Sequence, residues 1–165
     1  MERLDAFLRP LYQDLDGVSR LDEAERVARI ARRLAPPSRE LELLLRFQVL
    51  GSWLEKVGNL SRVVLTVPEV SESELRRVAA SIRRLDAPAT EVERAVAAAV
   101  LIDGAGVRGL AERFGRARRE GSSPLDVARE EEPPIPTWMS DDARAMLLER
   151  RAKRAAFCQA ILDET

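Results

Sequence analysis

The chain has 165 residues, of which 45% are hydrophobic and 33% charged, and its formal net charge is −1. This is the balance of a globular domain with enough residues for a hydrophobic core, and the near-zero charge argues against nucleic acid as a partner. The sequence has no histidine and one cysteine, Cys158, which excludes histidine catalysis, histidine-ligated metals and a disulfide within the chain.

Apolar residues recur every three to four positions along most of the chain, a spacing typical of helices packed on a core. Helices are predicted over residues 2–16, 19–34, 38–57, 71–85, 90–103, 107–119 and 140–163. Gly17 should end the first helix, and Ser19 or Asp22 should cap the second. The segment 38–57 is apolar nearly all round for two turns, so we expect it to be the central buried helix. Further N-caps are predicted at Ser38, at Thr90 and within 140–142, and residues 71–74 are expected to open the fourth helix.

Two stretches do not follow this helical spacing. Residues 60–67 are short, apolar and β-branched, and they are predicted as a short helix or an extended segment because no partner strand is evident. Residues 120–139 contain several prolines and the acidic run 130–132, which predicts a long surface loop with solvated acids. The expected fold is all-α, a single domain over 1–165 with about seven helices.

Three glycines, Gly104, Gly106 and Gly109, spell G-x-G-x-x-G after an apolar run. This pattern holds a dinucleotide phosphate when it follows a strand and opens a helix. Here the apolar run continues a helix that begins at Thr90, and no parallel strand follows. The other interpretation is a corner at which glycines let two helices approach closely, and it fits more of the chain.

A longer pattern runs through the same region. The residues that carry it are Ile102, Asp103, Gly106, Gly109, Leu110, Ala111 and Phe114, with Pro88, Thr90 and Glu91 upstream. This segment resembles the late part of HD-domain proteins, the metal-dependent phosphohydrolase superfamily, in which an acidic helix end precedes x-x-Gly-x-x-Gly-(Ile/Leu)-Ala-x-x-Phe. The closing helix adds Thr137, Asp141, Glu149, Arg151, Phe157 and Glu164. The resemblance covers about residues 19–164 and implies an HD-like helical bundle.

The same resemblance implies that this chain lacks the metal centre of the family. HD proteins hold metal through a His, a His-Asp pair and a further Asp, and the metal activates water toward a phosphoester. In an alignment on Arg26 and Val27, those ligands fall on Glu23, on Gly51 and Ser52, and on Ala98 or Val100. The resemblance then implies that the chain keeps the helical scaffold of the family and lacks its hydrolase activity.

We therefore expect a residual pocket in place of an active site, with no catalytic residue, metal or cofactor. Its candidate residues are Glu23, Ser52, Trp53, Asp103 and Arg108. The first hypothesis is a non-catalytic binding, regulatory or structural module for a protein or a small molecule. The second is a divergent phosphohydrolase that uses Glu23 and Asp103 with Mg²⁺. The third is nucleotide-cofactor binding through the glycine loop.

Single residues have plainer interpretations beside these. Cys158 is expected to pack in the core, since no histidine can activate its thiol. Trp53 is expected in the core, with a ligand-stacking wall as the alternative. Asp103 is expected to cap or hydrogen-bond at a helix corner, and Glu23 to pair with Arg26 or a neighbouring arginine. The arginines at 113, 116, 118 and 119 are expected to form a solvated helix face.

The location and assembly predictions follow from absent patterns. No apolar run approaches the ~20 residues that cross a bilayer, and the first residues lack the layout of a signal peptide. We therefore expect a cytoplasmic protein without a membrane partner. No predicted helix shows the sustained heptads of a coiled coil. The sequence does not decide between a monomer and a homodimer.

Overall fold

The computed structural model describes residues 1–13 and 20–163, and this part of the chain is all-helical with no strand. The all-α prediction is confirmed. The α-helices are α1 (Glu2–Gln13), α2 (Leu21–Leu34), α3 (Arg39–Phe47), α4 (Gly51–Leu54), α5 (Asn59–Thr66), α6 (Glu72–Arg83), α7 (Glu91–Gly104), α8 (Val107–Arg119), α9 (Pro124–Arg129) and α10 (Asp141–Asp163). A 3-10 turn at Gln48–Leu50 joins α3 to α4. The helices are thus shorter and more numerous than the sequence predicts.

The chain divides into two compact units, Met1–Ala97 and Ala98–Thr165. Each unit has its own set of packed helices: α3 packs on α2 and α6 in the first, and α8 packs on α9 and α10 in the second. The expectation of one domain over 1–165 stays a prediction.

The predicted central helix is buried as expected, but it is not one helix. Leu41, Leu44, Phe47 and Leu50 are 0% exposed. The 3-10 turn interrupts the segment, and α4 then begins at Gly51. A Cβ on Gly51 would lie 2.8 Å from Cγ2 of Ile82, so α4 packs directly on α6 at a position where only glycine fits without a shift.

Residues 60–67 lie largely in α5 (Asn59–Thr66), which settles the choice between helix and extended segment. Val63 is its one fully buried residue, while Leu65 is 85% exposed. The helix is anchored at its start, where Nδ2 of Asn59 donates to the carbonyl oxygen of Trp53 at 2.7 Å.

The predicted N-caps at Ser38, Thr90 and 140–142 are confirmed, and Ser71 caps the helix that residues 71–74 are expected to open, because each serine or threonine oxygen accepts a backbone N–H. The bonds are Leu41 N–H to Ser38, Glu74 N–H to Ser71, Glu93 N–H to Thr90 and Ala143 N–H to Ser140, at 3.1, 3.3, 3.1 and 3.3 Å. The Asp22 cap is wrong, since the residue before α2 is Arg20 and Asp22 lies in the first turn. Ser19 and the predicted helix end at Gly17 lie outside the described residues.

Glu93 is fully buried at the start of α7. Its carboxylate accepts hydrogen bonds from Nε of Arg84 at 3.1 Å and from the amides of Ala89 and Thr90 at 2.9 and 3.1 Å. Burial raises the pKa of Glu93, but these hydrogen bonds and one with Ser81 outweigh it and lower the pKa to about 2. Glu93 and Thr90 thus form a reciprocal capping box.

The second unit has a core built by α8, α9 and α10. Its buried residues are Leu110, Ala117, Val127, Ala128 and Cys158, with Phe114 and Leu162 packed against them. Cys158 is buried as expected, whereas the neighbouring Phe157 is 44% exposed. On α8, Val107 and Ala111 are also exposed. α8 and α10 each bury only a narrow face, and these three side chains lie beside that face.

The predicted long loop 120–139 contains the short helix α9, which Ser123 caps by accepting from the Leu125 amide at 3.2 Å. Its acids are not simply solvated. Glu130 pairs with Arg113 at 3.2 Å, and Glu132 contacts both Arg151, at 3.4 Å, and Arg154. Arg154 is only 4% exposed. The acidic run therefore fastens the segment after α9 to α8 and α10.

No helix in the described part of the chain is long and apolar enough to span a membrane.

Candidate functional site

The five predicted pocket residues differ widely in exposure. In the first unit, Glu23 is half-buried on α2, Ser52 is exposed on α4, and Trp53 is half-buried. In the second unit, Asp103 is 5% exposed near the end of α7, and Arg108 is exposed on α8. Trp53 meets Phe7 edge-on, with ring centroids 6.2 Å apart. Trp53 therefore packs against Phe7 and is neither fully buried nor fully exposed.

The glycine motif forms a corner between two helices. α7 runs to Gly104, so a helix stands where a dinucleotide site requires a strand. A Cβ on Gly109 would overlap the carbonyl oxygen of Gly104 and lie 2.7 Å from its carbonyl carbon. Gly106 precedes α8 in an extended conformation. The close backbone approach at Gly109 is the geometry that the corner interpretation predicts.

Two of the positions that the HD resemblance gives to metal ligands, Gly51 and Ala98, have side chains that cannot bind a metal. Gly51 has no room for a Cβ beside Ile82, and Ala98 is 2% exposed. Among the described residues there is no group of three His, Cys, Asp or Glu side chains placed to hold a metal ion.

A cleft of about 610 Å³ opens elsewhere in the first unit, between α1, α2 and α3. Its floor is buried and mostly apolar, formed by Tyr12, Ala24, Ala28 and Leu45. Its rim is charged and includes Asp5, Arg9, Glu25, Arg29, Arg32 and Arg46. None of the five residues chosen from the sequence lines it.

The rim is partly fixed by a chain of ion pairs. Arg32 binds Glu42 through Nε and Nη2, both at 2.8 Å. Arg46 donates from Nη1 to the same carboxylate at 2.7 Å and from Nε to Asp5 at 2.6 Å. The hydrogen bond from Arg32 lowers the pKa of Glu42, burial raises it, and the bond from Arg46 lowers it further, to about 2. Two guanidinium and two carboxylate groups thus neutralise one another.

Tyr12 ties the floor of the cleft to this chain. Its hydroxyl donates to the carbonyl oxygen of Arg46 at 2.7 Å. Burial raises the pKa of Tyr12, which the nearby Arg46 lowers in part, so the phenol stays neutral and keeps its hydrogen bond.

Three rim groups remain outside the chain of pairs. Arg9, Glu25 and Arg29 are exposed and make no hydrogen bond or ion pair with the described residues. They lie on α1 and α2, on either side of the cleft.

The residues that line this cleft recur at helical spacing in the sequence, but that spacing alone does not predict a cleft. Asp5, Arg9 and Tyr12 recur at one helical turn on α1, and Ala24 and Ala28 do so on α2. Arginines on an amphipathic helix are ordinarily assigned to the solvent face. Whether these arginines come together above Ala24 and Ala28 depends on how α1, α2 and α3 pack. The sequence of a single helix does not determine that packing.

No protein-family model, curated protein or solved structure matches this chain.

Proposed function

We propose that this protein is a non-catalytic binding module on an HD-like helical scaffold, and that its ligand is a small molecule held in the cleft between α1, α2 and α3. The HD-like part of the proposal draws its support from the residues of 88–115 and from the corner at Gly109. The non-catalytic part draws it from the small side chains at Gly51 and Ala98.

The cleft is the observation that carries the binding function. Small-molecule sites are concave, commonly about 300–1,000 Å³, with an apolar body and a few polar groups that orient the ligand. The cleft, about 610 Å³, has a buried floor and a charged rim. Ala24 and Ala28 create this space because larger side chains on the same face of α2 would fill it.

The test is a fragment screen followed by amide NMR shifts. Neutral, cationic and anionic fragments are added to the full chain, and we expect hits to shift amides of α1, α2 and α3. Ala28→Leu should abolish those shifts, because it fills the floor of the cleft without changing charge. Ala152→Leu, on the exposed side of α10, is the matched control and should leave them intact. Hits that survive Ala28→Leu would place the ligand elsewhere.

A second measurement separates binding from catalysis. p-Nitrophenyl phosphate and bis(p-nitrophenyl) phosphate are incubated with the protein and Mg²⁺ or Mn²⁺, and we expect no turnover above the buffer blank. Turnover that Asp103→Ala removes would instead establish the divergent phosphohydrolase.

A further inference from the structure

We propose that the cleft between α1, α2 and α3 binds a compact organic or inorganic polyanion, bearing phosphate or carboxylate groups, between Arg9 and Arg29. This inference rests on the proposed binding function and gives its ligand a chemical class. It is based on the charged residues that line the cleft and on the guanidinium N–H groups that make no hydrogen bond with the described residues.

The charge balance of the cleft favours an anion. Among the described residues, four arginines line it against two acids, Asp5 and Glu25. Glu42, directly behind the rim, neutralises one further positive charge. In the part of the chain that the structure describes, one net positive charge therefore remains beside the buried, mostly apolar floor of the cleft.

The free donors lie where a ligand can reach them. Arg9 and Arg29 have no described partner, so their guanidinium forks can each take a phosphate or carboxylate in a bidentate manner. Arg32 uses Nε and Nη2 on Glu42, which leaves Nη1 as a third donor at the same rim.

The paired residues supply a fixed frame for this binding. Asp5, Arg46 and Glu42 hold one another through bonds of 2.6 and 2.7 Å, and the Tyr12 hydroxyl is bound to the Arg46 carbonyl. Arg32 is oriented by Glu42 before any ligand arrives. A donor that is already oriented loses less entropy when it binds, which raises affinity.

Removal of the Glu25 charge should change anion affinity in the direction opposite to removal of an arginine charge. The Glu25 carboxylate lies on the rim without an ion-pair partner in the described part of the chain, one helical turn from Arg29 on α2. It repels an anion and competes with it for Arg29. Removing the charge of Glu25 should therefore tighten anion binding, whereas removing the charge of Arg29 should weaken it.

The experiment is isothermal titration calorimetry with pyrophosphate and citrate as probes of the two anion types. We expect the wild-type chain to bind at least one of them, more weakly as salt rises. Arg9→Gln and Arg29→Gln should each weaken binding about tenfold, as expected for a lost charge-assisted bidentate contact. Glu25→Gln should tighten it about threefold. All three residues are exposed, and circular dichroism verifies that each variant folds.

Arg33→Gln is the matched control, since Arg33 is exposed on the same helix but does not line the cleft. It should leave both affinities unchanged. An equal loss in Arg33→Gln and Arg29→Gln would overturn the proposal, because it would show a response to total charge alone. Binding of pyrophosphate only assigns a phosphate ligand, and binding of citrate only assigns a carboxylate.

The outcome also separates this inference from the function on which it rests. If neutral fragments bind in the cleft and neither anion does, the anion proposal fails and the binding module stands. If neither anions nor fragments bind there, both fail.

Discussion

The role of a charged residue in this chain depends on what its neighbours leave unpaired. Arg46 and Arg9 line the same cleft, yet Arg46 is held between Asp5 and Glu42, whereas Arg9 has no ion-pair partner among the described residues. The sequence shows the arginines but not these pairings, because Asp5 and Glu42 are far from one another along the chain. Ionic partners of this kind follow from tertiary packing.

Glu93 should contribute stability that depends on pH. Its pKa is about 2 in the folded protein against about 4.3 in an unfolded chain, so the unfolded state binds more protons between these values. The contribution is full above about pH 4.5 and falls as pH drops toward 2. Glu93→Gln should lower the free energy of unfolding by roughly 2–3 kcal/mol at pH 7.

Urea denaturation from pH 2 to 7 measures this effect as the difference between the two proteins. The gap between wild type and Glu93→Gln should narrow as pH falls through the window. A gap that stays constant across it would show that the Glu93 charge adds nothing to stability.

At the level of helices, the sequence predicts presence and type better than continuity. The Ser38, Ser71, Thr90 and Ser140 caps are readable because a capping side chain and its amide are three residues apart. The break at Gln48–Leu50 is not readable, since leucines continue through it. The sequence does not predict α9, because six residues that begin at a proline are too few to show a helical period.

The corner between α7 and α8 should tolerate change at one glycine and not at another. Gly109→Ala places a Cβ against the Gly104 backbone, which cannot move aside as a flexible side chain can, and should destabilise by about 3 kcal/mol. Gly104→Ala meets open space and should be neutral or stabilise by up to about 1 kcal/mol. Thermal unfolding of both variants compares them, and equal losses would refute the close approach.

The segment after α9 should owe much of its attachment to one carboxylate. Glu132→Gln leaves the nearly buried Arg154 without its counter-charge and should cost roughly 2–4 kcal/mol. The double variant Glu132→Gln/Arg154→Met should recover most of the loss, because the unpaired charge is then gone. Urea denaturation gives both numbers.

A neighbouring pair serves as the control for that measurement. Lys153 and Glu149 are each 67% exposed, so Lys153→Gln should change stability by less than about 0.5 kcal/mol. A loss from Glu132→Gln no larger than this would mean that the acids of the segment are merely solvated.

For the molecule as a whole, composition and periodicity identify an all-helical chain, and they do not identify its cleft. The cleft exists because α1, α2 and α3 present short residues and charges to one another. The glycine motif shows the converse, since its context of helices, and not the motif itself, fixes its structural meaning.

The single-domain prediction can be tested with the two tryptophans, since Trp53 lies in the first unit and Trp138 in the second. Trp138→Phe leaves Trp53 as the fluorescence probe, and Trp53→Phe leaves Trp138. If the chain is one cooperative domain, both probes should report the same urea midpoint and the same slope. Separate midpoints would show two domains that unfold independently.

The thiol of Cys158 can serve as a chemical probe for opening of the second unit. It is 7% exposed within the packing of α8, α9 and α10, and no other cysteine competes for reagent. An alkylating agent can reach the sulfur only when that packing separates, so each labelled molecule records one such event. The labelling rate, read by mass and divided by that of an exposed thiol, therefore measures the fraction of time for which this unit is open under native conditions.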